Sequence, residues 1–302
     1  MLPSFASRLM PVFLKLTQAN AVFRSPEKAR EHMAKRSIRP SSYGPPSLLR
    51  RDVSVSVDHA QGWPVYTLTP KTGRVVGGAV YLHGGGWVNE IALQHWQLAA
   101  QIAAEAKVAV TVPIYPLVPF GTAEEVIRKV VELVLNSVAL YGETTLGGDS
   151  AGGEIALSAA VLLRDEHEMV LPQTVLIAPA LDLSLKNPQI DVVLRTDPWL
   201  GREGTQVFIE QWRGERSVED PLVSPLNAEL SGIGPLTIFC GTRDMVHPDT
   251  RLLVDKASRA DVVVEFHEGD GLVHVYPLTP TPEGRAARKI IVERFGTATE
   301  RP

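Results

Sequence analysis

From about residue 75 onward, short uninterrupted apolar runs alternate with stretches of helical periodicity, and this rhythm leaves few folds open. The runs are 75–82, 108–112, 144–147, 174–177, 236–240 and 262–266. Helical stretches lie near 92–106, 123–140, 151–165, 249–259 and 284–295. A strand that is apolar on both faces must be covered on both faces. The pattern therefore predicts an α/β fold, with a mostly parallel sheet and helices packed on each side. Right-handed crossovers bring the C-terminal ends of such strands to one edge, where ligand sites form.

Three segments fall outside the rhythm. Val53, Val55 and Val57 alternate with Ser54, Ser56 and Asp58, which predicts a half-exposed strand with a hairpin partner at 64–69. Ser25-Pro26-Glu27 reads as a helix start, and Pro40, Pro45 and Pro46 mark a linker after it. Residues 1–45 are thus expected to form a helical appendage ahead of a main domain, 46–302. Within that domain the span 183–214 carries Pro188, Pro198, Trp199 and Trp212, and is expected to be a cap insertion over the sheet edge.

Composition narrows the class of partner. Net charge is −4, from 34 acids against 30 bases, which gives no reason to expect nucleic acid. The single cysteine, Cys240, excludes an intramolecular disulfide and Cys-x-x-Cys chemistry, and its apolar surroundings predict a buried strand residue. Near the N-terminus Leu2, Phe5, Leu9, Val12, Phe13 and Leu16 recur at helical spacing. Arg8 and Lys15 interrupt this stretch, so it does not read as a secretory signal. Its simplest reading is a helix packed on the body; the sharper one is a helix dipping into a membrane surface. The apolar region around 108–120 contains three prolines and is not a membrane span. A cytoplasmic protein without stable membrane insertion is expected.

The chemistry enters at Gly148-Asp149-Ser150-Ala151-Gly152-Gly153. Ser150 follows a short strand and precedes a helix-forming run. Such a turn holds its central residue in a strained backbone and projects the hydroxyl from the sheet edge, at the positive end of a helix. Bulky residues at 148, 152 or 153 would clash with the neighbouring strand and helix. Sixty-seven residues upstream stands His83-Gly84-Gly85-Gly86-Trp87, directly after a strand. Acyl transfer creates a tetrahedral oxyanion, and each backbone N–H aimed at it is worth about 3 kcal/mol. Glycines let the main chain approach the reacting carbonyl. The N–H groups of Gly84, Gly85 and Ala151 are assigned to this oxyanion hole, and His83 to orienting the loop. Neither a P-loop nor a G-x-G-x-x-G pattern is present.

A serine nucleophile at such a turn takes its acid and then its base from farther along the chain. His247, His267 and His274 lie late enough. His274 follows Gly269-Asp270-Gly271, read as a loop just beyond the last strand, and is the favoured base. Asp244 directly follows the preceding strand and is the favoured acid. Asp249, a helix-start residue, is the weaker rival, and Asp270 lies too near the base.

Together these residues resemble the hormone-sensitive-lipase-like family of α/β-hydrolases, in its bacterial carboxylesterase branch. The resemblance rests on His83–Trp87, Gly148–Gly153, Asp244 and Gly271–His274, with Asp220–Pro225 similar to the family's segment before the penultimate strand. It implies an α/β-hydrolase fold with an eight-stranded sheet and an N-terminal helical cap segment, here residues 1–45. It also implies hydrolysis of short- to medium-chain esters through an acyl-enzyme at Ser150, no cofactor, and frequent homodimers. One departure is visible. Where the family commonly carries Tyr-Arg-Leu-Ala-Pro-Glu, this chain reads Tyr115-Pro116-Leu117-Val118-Pro119-Phe120. Glu154, after the serine turn, is read as a structural helix-start acid. An amidase or aryl-formamidase with the same triad is the alternative chemistry, and a non-catalytic ligand-binding protein the alternative class.

Overall fold

The computed structural model describes residues 3–296 except 19 and 61. Three helices open the chain: α1 (Phe5–Leu16), α2 (Ala21–Arg24) and α3 (Pro26–Ile38). Ser25 caps α3 by accepting from the N–H of Lys28, with Pro26 and Glu27 in the first turn. The strands are β1 (Val53–Asp58), β2 (Val65–Pro70), β3 (Gly77–Leu82), β4 (Val108–Pro113), β5 (Thr144–Asp149), β6 (Thr174–Ile177), β7 (Leu236–Arg243) and β8 (Val264–Val273). Between and after them run α4 (Leu93–Glu105), α5 (Ala123–Tyr141), α6 (Ala151–His167), α7 (Gln189–Leu194), α8 (Arg202–Trp212), α9 (His247–Arg259) and α10 (Pro282–Phe295).

All eight strands form one sheet in the order β1-β2-β4-β3-β5-β6-β7-β8. The two pairs involving β2 are antiparallel, and β3 through β8 run parallel. The fold is an α/β-hydrolase fold, as the resemblance implied. Every residue of β3, β4, β5 and β6 is buried, which is why these strands read as continuous apolar runs. The edge strand β1 behaves differently. It pairs only with β2, and of its alternating valines only Val53 is buried. Cys240 is buried in β7, where the sequence placed it.

Two readings need correction. The segment Gly269-Asp270-Gly271 is not a loop but the far half of β8. Ladder pairing carries it, with a register irregularity opposite Gly241 and Arg243, and Gly271 takes φ +70°. Helix α1 does pack on the body, but not through the apolar residues whose spacing revealed it. The buried face of α1 is Ser7, Pro11 and Leu14, while Phe5, Leu9, Val12, Phe13 and Leu16 are exposed; Leu2 lies outside the described residues. Periodicity reveals an apolar face but not the direction in which it points. The hold on α1 is partly polar: Ser4 and Ser7 donate to the carboxylate of Glu283 on α10. No helix among the described residues is long and apolar enough to cross a membrane.

Candidate active site

Ser150 sits between β5 and α6 with φ 53° and ψ −117°, a backbone region that L-residues rarely occupy. Neighbouring elements hold it there. Its N–H donates to Ile177 O at 2.9 Å and its carbonyl accepts from Ala180 N at 3.1 Å. The flanking glycines are obligatory for contact reasons. A Cβ on Gly148 would lie 2.3 Å from Gly152 O, and one on Gly152 would lie 2.1 Å from Leu82 O. One on Gly153 would meet the Pro179 ring at 2.9 Å. Small residues thus let α6 lean onto β3 and β5 and raise the hydroxyl above the sheet edge.

The structure brings Ser150, His274 and Asp244 together. His274 Nε2 is 2.9 Å from Ser150 Oγ, and His274 Nδ1 is 2.8 Å from Asp244 Oδ2. Asp244 follows β7 directly and His274 follows β8, so two adjacent parallel strands deliver acid and base to one edge. Asp244 is fully buried, and its other oxygen accepts from Val246 N at 3.1 Å. A carboxylate only accepts, so Nδ1 carries the proton and the Nε2 lone pair faces the serine hydroxyl. Burial alone would lower the proton affinity of His274. The charge and hydrogen bond of Asp244, with Asp197 and Asp149 nearby, more than offset it, so the pKa is raised above 6.5.

The rival residues lie elsewhere or do other work. His247 meets Glu268 at 2.7 Å, and His267 stacks on Phe239 at 4.5 Å. Asp270 lies beside Thr242. Asp249 does line the cavity, but it accepts from Asn187 Nδ2 at 2.7 Å, while His274 Nδ1 is held by Asp244. Burial, aided by Asp182 and opposed by Asn187, raises its pKa to about 6.

The oxyanion assignment needs one correction. The Gly84 N–H donates to Asp149 Oδ1 at 3.0 Å, so it is already taken by a stronger acceptor than an ester carbonyl. A Cβ on Gly84 would fall 2.2 Å from the other Asp149 oxygen, so glycine there serves close approach. Gly85 and Gly86, at φ +130° and +62°, line the cavity beside Ser150. Among the described residues no acceptor takes their N–H groups or that of Ala151 at the start of α6. The three free donors are therefore Gly85, Gly86 and Ala151. His83 supports the loop: Nδ1 donates to Gly84 O at 2.6 Å, and the ring stacks on Tyr115 at 4.5 Å. Burial, with His95 nearby, pulls its pKa down to about 4, so it is neutral. Tyr115 O–H donates to the His83 carbonyl at 2.6 Å, a polar support kept although the segment after Tyr115 departs from the family's run.

Three buried acids organise the surroundings, and sequence reasoning missed or undervalued them. Asp149 accepts from Tyr81 O–H at 2.6 Å and from Gly84, and pairs with His95 Nε2 at 3.3 Å. His95 Nδ1 accepts from Ala92 N, so Nε2 holds the proton that faces Asp149. Burial pushes the Asp149 pKa up, but His95 and Tyr81 outweigh it and the pKa is lowered. Asp197, between α7 and α8, accepts from Met245 N at 2.7 Å and from Trp199 N and Leu200 N. It thereby fixes Trp199, whose ring stands edge-on to His274 at 5.9 Å. Glu154 is fully buried in the first turn of α6, and its Oε2 accepts from both Trp87 Nε1 and Trp212 Nε1 at 3.1 Å. It joins the glycine loop to α8. Burial pushes its pKa well up despite the two indole donors.

Above Ser150 lies a cavity of about 210 Å³. Leu183, Leu185, Trp199 and Ile209 line one side, Phe23 of α2 another, and Trp87 reaches it from the glycine loop. Trp212 and Phe208 are buried outside it, stacked on Trp87 and edge-on to Phe23.

Comparison with known proteins agrees with this fold. A family model described as alpha/beta hydrolase fold matches residues 79–278. A triacylglycerol lipase of Mycobacterium tuberculosis is 31% identical over 261 residues, covering 84% of this chain and 54% of that protein, so the chain spans about half its length. An acetyl-hydrolase of Streptomyces hygroscopicus is 30% identical over 227 residues, 73% of this chain and 75% of that protein. The solved structure of an esterase from the bacterial hormone-sensitive lipase family superposes with a TM-score of 0.80, covering 98% of this chain and all of that one, at 24% identity. On the extent of the family match and the identity to these relatives, the chain belongs to the α/β-hydrolase fold family.

Proposed function

We propose that the protein is a serine carboxylesterase that cleaves short- to medium-chain esters through an acyl-enzyme at Ser150. The observation that carries this reading is the unbroken chain Ser150 Oγ–His274 Nε2 (2.9 Å) and His274 Nδ1–Asp244 Oδ2 (2.8 Å) at a strained serine turn. As Oγ attacks the ester carbonyl, His274 Nε2 takes its proton. The carbonyl oxygen becomes an oxyanion and is met by the N–H groups of Gly85, Gly86 and Ala151. The tetrahedral intermediate collapses, His274 gives its proton to the leaving alcohol, and the acyl group stays on Ser150. Water then enters, His274 takes its proton, and the same steps release the acid and restore Ser150. Asp244 holds the imidazole tautomer and stabilises its cation throughout.

Helices α1–α3 together with the segment carrying α7 and α8 act as a cap. Phe23 from the first group and Ile209 from the second line one cavity, and its modest volume supports acyl chains of limited length. The names of the relatives, a lipase and an acetyl-hydrolase, support ester substrates. A cytoplasmic location is in keeping with a lone buried cysteine.

A p-nitrophenyl ester series from acetate to palmitate, with N-formylkynurenine in parallel, tests the reading. The account expects highest kcat/KM on the shorter esters. Faster turnover of N-formylkynurenine would favour the aryl-formamidase chemistry, and no turnover of any ester would favour a binding protein.

A further inference from the structure

We propose that α1 is an interfacial helix that docks the enzyme on an anionic lipid bilayer, beside a groove that adjoins the catalytic cavity. The first observation is its orientation. Phe5, Leu9, Val12, Phe13 and Leu16 are between 47% and 79% exposed. They form a stripe roughly 100° wide on the helix, opposite the face that Ser7, Pro11 and Leu14 bury against the body. An amphipathic helix ordinarily turns its apolar stripe inward; this one turns it to solvent, at the cost of exposing five large apolar side chains.

The second observation is charge. Arg8 and Lys15 lie together along one side of the stripe, and α1 contains no acid. Helix α10, packed alongside, exposes Arg285 and Lys289. This local excess of cations stands out because the chain as a whole is net −4. An acidic protein with a basic, apolar end meets an anionic surface in one orientation only: apolar residues reach the acyl boundary, and cations stay among the headgroups. The same charges disfavour a second copy on this face. A two-fold contact through the stripe would bring the Arg8 and Lys15 of one copy near those of the other, with no acid in α1 to pair them.

The third observation is position. A groove of about 610 Å³ is bordered by Phe13 and Leu14 of α1 and Leu93 of α4, and Gln94, Trp199 and Val275 line both this groove and the cavity above Ser150. Leu93 is itself exposed. An apolar ester partitioned in the bilayer would thus be held next to the catalytic cavity. That last step rests on the esterase reading; the docking does not.

The test is flotation of the full-length protein with vesicles of phosphatidylcholine alone and with phosphatidylglycerol added. The account expects co-flotation with the anionic vesicles and weak binding to neutral ones. Added salt should release the protein, because the Debye length falls from about 10 Å at 0.1 M to about 3 Å at 1 M. The triple variant Phe5→Ser, Leu9→Ser, Leu16→Ser should lose at least about tenfold in vesicle affinity. It should keep wild-type turnover of soluble p-nitrophenyl acetate, which also shows that it folds, while turnover of a long-chain ester embedded in anionic vesicles falls. Ser150→Ala should float like wild type, which separates failure of docking from failure of the esterase reading. Equal recovery of wild type and triple variant with anionic vesicles would overturn the proposal. So would a wild-type dimer that the triple variant converts to monomer, since a second copy would then be the occupant of this face.

Discussion

Replacing Glu154 by glutamine should make the protein more stable relative to wild type as pH rises. The carboxyl is fully buried, Oε2 holds the indole N–H groups of Trp87 and Trp212 at 3.1 Å each, and Oε1 has no partner among the described residues. Burial raises its pKa well above the ordinary value of 4.5, so the folded protein keeps a proton that the unfolded chain releases. Between the unfolded and folded pKa the folded state binds the extra proton. Stability therefore falls with rising pH, by up to about 1.4 kcal/mol per unit for one proton. Glutamine keeps the accepting oxygen and cannot ionise, so the variant lacks this slope. The assay is urea unfolding from about pH 5 to 8, followed by tryptophan fluorescence, with the variant-minus-wild-type difference plotted so that all shared titrations cancel. A flat difference, or a variant that becomes relatively weaker with pH, would show a charged carboxylate and refute the reasoning. Glu154→Leu should behave quite differently. It orphans two buried indole donors at about 1–3 kcal/mol each, so a loss of roughly 2–6 kcal/mol is expected, less what the added apolar contact returns.

The catalytic geometry carries its own expectations. Asp244→Asn should lower kcat by about 10³–10⁴, or roughly 4–5.5 kcal/mol, with little change in KM, because the imidazole loses its tautomer and its counter-charge; a loss under tenfold in steady-state assays would contradict the triad. The rate should rise with pH as His274 loses its proton. Because its pKa is raised, the midpoint of kcat/KM should lie above the ordinary 6.5, and in Asp244→Asn burial is opposed only by the charges of Asp197 and Asp149 and should move it down; a flat profile from about pH 5 to 8 would argue against His274 as base. Gly152→Ala sets a methyl 2.1 Å from Leu82 O and should cost about 3 kcal/mol or more of stability; wild-type urea midpoint and activity would refute the close-contact argument.

Much of this architecture was legible because burial on both faces writes itself as uninterrupted apolar sequence. The run 174–177 coincides with β6, and 123–140 with nearly all of α5. The far half of β8 escaped notice because Gly269 and Gly271 look like a turn, whereas a register irregularity lets the ladder accommodate them. At the site, Ser150, Asp244 and His274 could be nominated from order and position, since each lies just past a strand. Gly84 was misplaced because its competitor for the N–H, Asp149, is 65 residues away in sequence. His95 and Asp197 gave no sequence signal of their own: His95 acts on the Asp149 carboxylate and Asp197 on the N–H of Met245, partners brought close only by folding. Glu154 did leave a trace, an acid among small and apolar residues, but its two indole donors come from segments 67 and 58 residues away.

The central claim is that Ser150 is the nucleophile, and covalent trapping tests it most directly. Treated with diethyl p-nitrophenyl phosphate, the wild-type protein should gain a single diethylphosphoryl group, mapped by peptide mass to Ser150, as ester turnover falls in proportion. Ser150→Ala should gain none, should unfold like wild type, and should hydrolyse esters negligibly. A label on another residue, or ester turnover by Ser150→Ala above about a tenth of the wild-type rate, would contradict the account.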